Sequence, residues 1–184
     1  MKPIPFKTRP VRGAGLPAVV LQEAHFWRCI PRHYLKTVLE GGPSFTRERR
    51  YSIRGEFSGL YFSASRELSL SEAANRTGQD SDRMCSVQFK ITADHVVDLT
   101  QPETRVALRV RLEDLVRLRT SADAYEVPQR VARQVFQARL SGLLAPSVYD
   151  PNGERQGWFN LVLYPANIIR AFIREVRITD IAGF

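Results

Sequence analysis

Short apolar stretches recur along this chain, but helical stretches do not follow them one for one. That irregular order constrains the fold more than any other feature of the sequence. The expected strands are AHFWRCI (24–30), SGLYFSA (58–64), SVQFKI (86–91), HVVDLT (95–100), GLLAPS (142–147), FNLVLYP (159–165) and EVRITDI (175–181). In SGLYFSA, Leu60, Phe62 and Ala64 face one way, and Tyr61 and Ser63 the other. Helical spacing is expected from Pro31 to about Leu39, after Ser65, over 111–119, from Pro128 to about Leu140, and briefly near 167–173. A doubly wound parallel sheet requires regular alternation of strand and helix. Its absence predicts an α+β domain, a mixed β core with a few flanking helices. Pro3, Pro5, Pro10 and Pro17 break residues 1–20 into an irregular arm, leaving 21–184 as one domain.

With 184 residues, 43% hydrophobic and 25% charged, the chain can bury one real core and is not broadly disordered. No apolar run approaches the roughly 20 residues that cross a bilayer. The start, MKPIPFKTRPVRGAGLPAVV, has prolines and basic residues where a secretory signal has an apolar run, so export by that route is not expected. Cys29 and Cys85 stand alone, without metal spacing or a disulfide framework, which favours a reducing cytoplasm. The net charge of +8 comes from arginine, with 23 Arg and only four Lys. Eleven of these basic residues fall in the first 60 positions, against four acids. Guanidinium forks match phosphate and carboxylate, so the excess fits an anionic ligand, either a nucleotide or nucleic acid, as well as a solvated surface.

The stretch RRYSIRGEFSGLYFSASRELSLSE (49–72) ends on a carboxylate, Glu72, after a basic, aromatic run. Ser65 is a plausible N-cap and Glu67 lies in the first turn. Leu68, Ser71, Glu72 and Asn75 then share one helix face. His25, His33 and His95 are scattered, so no metal is expected. No phosphate-loop or dinucleotide glycine pattern and no G-x-S-x-G elbow occur. Glu72 has no clear second acid nearby in sequence to complete a glycosidase pair, which leaves only a distant one.

FWRCIP, RYSIRGEFSGLYFSASRELSLSE and SGLLAPSV…FNLVLYP resemble, in order and spacing, the three blocks of the RES domain family, over about residues 24–180. The resemblance implies a fold like the ADP-ribosyltransferase toxins and an NAD+-degrading toxin of a bacterial toxin–antitoxin pair. It implies NAD+ as substrate, no metal, and a helix-turn-helix (Xre-type) antitoxin as partner. Nucleic acid would be contacted only through that antitoxin, and no membrane would be involved. By position it implies Arg28, Glu72 and Ser147 as catalytic residues, with Arg28, Arg50, Ser52, Tyr61 and Ser147 contacting NAD+. Gly55 falls in the turn of the second block and Asn160 in the strand of the third. Many relatives carry Asn where Ser52 stands, and Arg47, Arg49 and Arg54 crowd Arg50.

The residues suit that chemistry. A carboxylate aimed at the ribose carbon stabilises the positive charge that develops as nicotinamide leaves. Arginines, Arg28 and Arg50 here, suit the pyrophosphate, and the Tyr61 ring could lie against nicotinamide. Each residue also has a structural reading. Glu72 could pair with Arg76 on the helix surface, Arg28 could lie beside Trp27, Arg50 could belong to a solvated basic run, Tyr61 could be core, and Ser147 could close a turn. Trp27, Phe62, Phe136, Trp158 and Phe159 read as packing. Two alternatives stay open: ADP-ribose transfer to a protein on the same fold, and a basic nucleic-acid-binding module. Many protein-modifying relatives in the wider superfamily carry an acid two residues before the catalytic Glu, where this chain has Leu70, which favours glycohydrolysis. No recognition-helix or stacked-aromatic pattern supports the nucleic-acid module.

Overall fold

The structure is a computed structural model that describes residues 9–11, 15–39, 48–74, 84–118, 123–150, 152, 155, 157–167 and 171–181. Its frame is two long antiparallel strands, β2 (Ala18–Pro31) and β4 (Met84–Asp98). Five shorter strands join them: β1 (Arg9–Val11), β3 (Leu60–Ser63), β5 (Gly142–Pro146), β6 (Phe159–Leu163) and β7 (Ala171–Asp180). One edge of β4 carries β7 along Cys85–Ala93 and then β5, in parallel, along Val96–Asp98. The free edge of β2 carries β1 at Ala18–Val20 and meets β3 at the single pair Trp27↔Ser63. Since β3 pairs with β6 and β6 with β5, the hydrogen bonding closes into a ring, β2–β3–β6–β5–β4.

Alternation along these strands sorts the core into two parts. Phe26, Leu60, Phe62, Val87, Phe89, Ile91, Leu144 and Leu161 fill the inside of the ring. Val97, Leu143, Ala145 and Val162 point outward, where the helices α2 (Pro102–Ala107), α3 (Leu112–Val116) and α4 (Glu126–Gln137) cover them. In α4, Val131, Ala132 and Val135 form the buried stripe expected of its apolar spacing. All of β5 is buried because it has an apolar layer on both faces. Gly142 is required there: a Cβ on it would lie 2.1 Å from the Val162 carbonyl oxygen. Helix α1 (Arg66–Ala74) lies apart from α2–α4, against β2, β3 and β4.

The α+β class is as read from the sequence, but several elements differ. SVQFKI and HVVDLT belong to one strand, β4. Its pairing with β2 absorbs an extra residue on each strand, with His95 at φ 58° and Glu23 at φ 50°. Such bulges bend a strand without ending it, so the polar residues around Asp94 do not mark a turn. Part of the proline-rich arm is ordered: Arg9–Val11 is an edge strand, a position that tolerates Pro10. The segment after Pro31 is a 3-10 helix, Arg32–Thr37. Of the helix expected near 167–173, Asn167 ends a 3-10 turn, Pro165–Asn167, and Ala171 onward belongs to β7, while 168–170 lie outside the described residues. Helix α2 had no counterpart among the expected elements.

Candidate active site

Helix α1 begins where its cap places it. Ser65 Oγ accepts the Leu68 N–H at 3.1 Å, and the Ser65 carbonyl accepts the Ser69 N–H. Leu68 is buried, and Glu72, one turn on along the same face, meets the sheet. Both carboxylate oxygens of Glu72 are held: Ser63 Oγ donates to Oε2 at 3.1 Å and Asn160 Nδ2 donates to Oε1 at 2.8 Å. Ser63 and Asn160 are direct cross-strand partners on β3 and β6, so one rung of the sheet fixes the aim of the carboxylate. Asn75 and Arg76, the remaining members of that helix-face reading, lie outside the described residues.

Beside the carboxylate, Asn160 Oδ1 is buried with no hydrogen-bond partner among the described residues. A buried acceptor left unpaired costs about 1–3 kcal/mol, and a ligand hydrogen at this position would satisfy it. The arrangement is a fixed acid beside an open acceptor, suited to hydroxyl or amide hydrogens and to a developing positive charge. Trp27, opposite Ser63 on β2, lies on the same face of the sheet.

The Tyr61 hydroxyl accepts the Tyr51 N–H at 3.0 Å and shares a 3.0 Å hydrogen bond with Ser52 Oγ, which accepts the Gly59 N–H. Ser52 is fully buried, so its hydroxyl holds the 51–59 turn together. The Tyr61 ring lies under the Arg49 guanidinium, 5.7 Å from its centroid, on the same strand face as Ser63. Gly55 has φ 77°, in keeping with its expected turn. Burial pushes the Tyr51 phenol above its ordinary value.

Arg50 is bound elsewhere. Its Nη1 donates to the Leu115 and Ala124 carbonyls at 3.0 and 3.3 Å, its Nη2 donates to the Arg117 carbonyl, and its guanidinium stacks on Tyr125. It ties the end of α3 to the residues just before α4. Arg50→Leu is therefore expected to lower stability by about 2–3 kcal/mol, since hydrogen bonds to a charged group are worth about 1.5–3 kcal/mol. Denaturant titration checks this.

Arg28 is one residue past Trp27, and its side chain takes the opposite face. It stacks 5.4 Å from the Phe62 centroid and donates to the Val38 carbonyl. Ser147 is buried after β5; its Oγ accepts the Tyr149 N–H at 3.2 Å and its carbonyl accepts the Asp150 N–H. Arg54 is exposed, and Arg47 lies outside the described residues.

The structure thus gathers Glu72, Ser63, Asn160, Trp27 and Tyr61 on one face and sends Arg28 and Arg50 elsewhere. Ser63 had signalled only that it shares a strand face with Tyr61, and Asn160 only its place in a block. That both would hold Glu72 depends on the strand register. Among the described residues, no three His, Cys, Asp or Glu side chains group as a metal site, and no helix is long and apolar enough to cross a membrane.

A family model described as the RES domain matches residues 25–180. Among solved structures, the fold is similar to the toxin chain in the crystal structure of the M. tuberculosis MbcT-MbcA toxin–antitoxin complex. The TM-score is 0.60 at 18% identity, covering 86% of this chain and 84% of that one. No curated protein matches the chain.

Proposed function

The chain belongs to the RES domain family, and from that premise we propose that it is an NAD+-degrading toxin that cleaves the bond between nicotinamide and ribose. The observation that carries this reading is the Glu72 carboxylate, gripped at both oxygens by Ser63 and Asn160 beside the open acceptor Asn160 Oδ1. In the reaction the C1′–N bond breaks, its electron pair leaves with neutral nicotinamide, and the ribose becomes oxocarbenium-like. Glu72 stabilises that charge from a fixed position, and no reorganisation is needed as the charge appears. Asn160 Oδ1 takes a ribose hydroxyl or the carboxamide N–H2. The Tyr61 ring and the Ser147 hydroxyl are the further candidates for substrate contact. An acceptor, water or phosphate, supplies the oxygen that ends on C1′ and releases its proton to solvent.

Residues 21–184 act as one catalytic unit, to which Arg9–Val11 adds an edge strand. An antitoxin of the helix-turn-helix type is the expected partner, in keeping with the toxin–antitoxin complex of the structural neighbour. The reading is tested on purified, inhibitor-free protein supplied with NAD+ in water and in phosphate. Free nicotinamide should accumulate as NAD+ falls. Labelled NAD+ that tags a protein band would make the chain a transferase instead. Intact NAD+ under all these conditions would rule the reading out.

A further inference from the structure

On the same sheet face as Trp27 lies a pocket of about 220 Å³ lined by Trp27, Arg66, Ser86, Gln88, Arg177 and Thr179. Strand register explains how these residues converge. Trp27 on β2 is opposite Gln88 on β4, which is opposite Arg177 on β7; one step along, Ser86 is opposite Thr179. These side chains therefore rise from three adjacent strands on one side of the sheet. Helix α1 packs against β2 and β4, and its first residue, Arg66, joins the lining. Six residues later the same helix delivers Glu72 to Ser63, the partner of Trp27. From Ser63 to Arg177 is three strand spacings, about 14 Å at ~4.8 Å each.

The lining is one-sided in charge: two guanidiniums, a hydroxyl pair, an amide and an indole, with no carboxylate among the described residues. Among the described residues Arg54, Arg109, Arg130, Arg139 and Arg174 have no side-chain partner, but they do not line this pocket, and several other arginines are taken up. Arg50 and Arg105 bind main-chain carbonyls, while Arg32, Arg111, Arg117 and Arg133 pair with Asp180, Asp114, Asp123 and Glu56. Neither Arg66 nor Arg177 makes a hydrogen bond or ion pair with the described residues. Two uncommitted forks converge on neutral donors over an indole wall. That combination recognises a doubly charged phosphate group.

We propose that this pocket holds the pyrophosphate of the dinucleotide whose ribose lies at Glu72, with Arg66 and Arg177 as its phosphate-binding pair. This rests on the NAD+ reading and reassigns the phosphate contact expected of Arg28 and Arg50. The test uses the full chain with Glu72→Gln, in which NAD+ persists, and titration calorimetry with ADP-ribose, inorganic phosphate and nicotinamide riboside. Arg66→Gln and Arg177→Gln should each weaken ADP-ribose by about 10- to 100-fold. Nicotinamide riboside, which lacks phosphate, should bind as before. With Glu72 intact, the same substitutions should raise KM for NAD+ and leave kcat nearly unchanged. Both side chains are exposed, so the variants should melt like the parent.

Unchanged ADP-ribose affinity in both variants overturns the pocket, whether or not NAD+ is consumed. Inorganic phosphate binding as tightly as ADP-ribose overturns the dinucleotide assignment. Arginine-dependent ADP-ribose binding without any NAD+ turnover by the parent protein upholds the pocket and removes the glycohydrolase reading.

Discussion

Replacing Glu72 with Gln is expected to cut NAD+ consumption by about 100- to 1000-fold, the usual loss when one transition-state charge contact is removed. Gln is the informative choice. Its amide oxygen still accepts from Asn160 Nδ2, and its NH2 donates to Ser63 Oγ, so both partners of the native carboxylate keep a hydrogen bond. Geometry and stability persist while the charge is lost. Melting temperature should therefore stay close to that of the parent, and substrate should still bind. Glu72→Ala, by contrast, strips Ser63 and Asn160 of their acceptor, and its lost activity would mix chemistry with structure. Steady-state release of nicotinamide, read together with thermal unfolding, checks the prediction. A Gln variant with parental turnover would leave Glu72 as a structural bracket between helix α1 and the sheet.

The largest expected loss of stability comes from inside the ring. Phe89 is fully buried at the middle of β4, opposite Phe26, and sets its ring edge against Phe62 at 5.3 Å. Phe89→Ala removes that contact and leaves a cavity, at a cost of about 3–5 kcal/mol. For a chain of this size the melting temperature should fall by roughly 6–20 °C. The effect should reach the site. β3 joins β2 through one residue pair, Trp27↔Ser63, so packing of Phe62 carries much of the burden of holding Ser63 under Glu72. NAD+ turnover should thus fail below the main unfolding transition. Val106→Ala is the control: Val106 is 77% exposed, and the change should shift stability by no more than about 0.5 kcal/mol. Calorimetry and turnover measured over the same temperature range test both.

Local rules carried the sequence reading a long way. The Ser65 cap, the inward turn of Glu72, the Gly55 turn and the alternation of Leu60 and Phe62 against Tyr61 and Ser63 each depend on neighbours within a few residues. They are accordingly visible in sequence. Strand ends were less legible. A bulge at His95 looks like a break because polar residues interrupt the apolar pattern, yet the partner strand continues past it. The misread helix after Pro165 has a similar origin. AFI is equally apolar in either period, and pairing with β4 decides for a strand.

Arginine shows the limit most clearly. A sequence marks every guanidinium as able to grip an anion, and the family resemblance pointed to Arg50. Three carbonyls from the Leu115–Ala124 segment occupy Arg50 first. By alternation, Arg28 falls on the Phe62 side of the sheet, away from Trp27 and Ser63. Arg66 and Arg177 carried no signal, since only strand register and the start of α1 bring them to one pocket.

By itself, then, the sequence determined the α+β class, the family and the inward acid, because these follow from short-range periodicity, capping and motif order. Only the tertiary structure decided what holds that acid and which arginines remain uncommitted. Strand register brings Asn160 to a residue 88 positions earlier, and burial decides which charges are already satisfied. Neither is a property of any local stretch of chain.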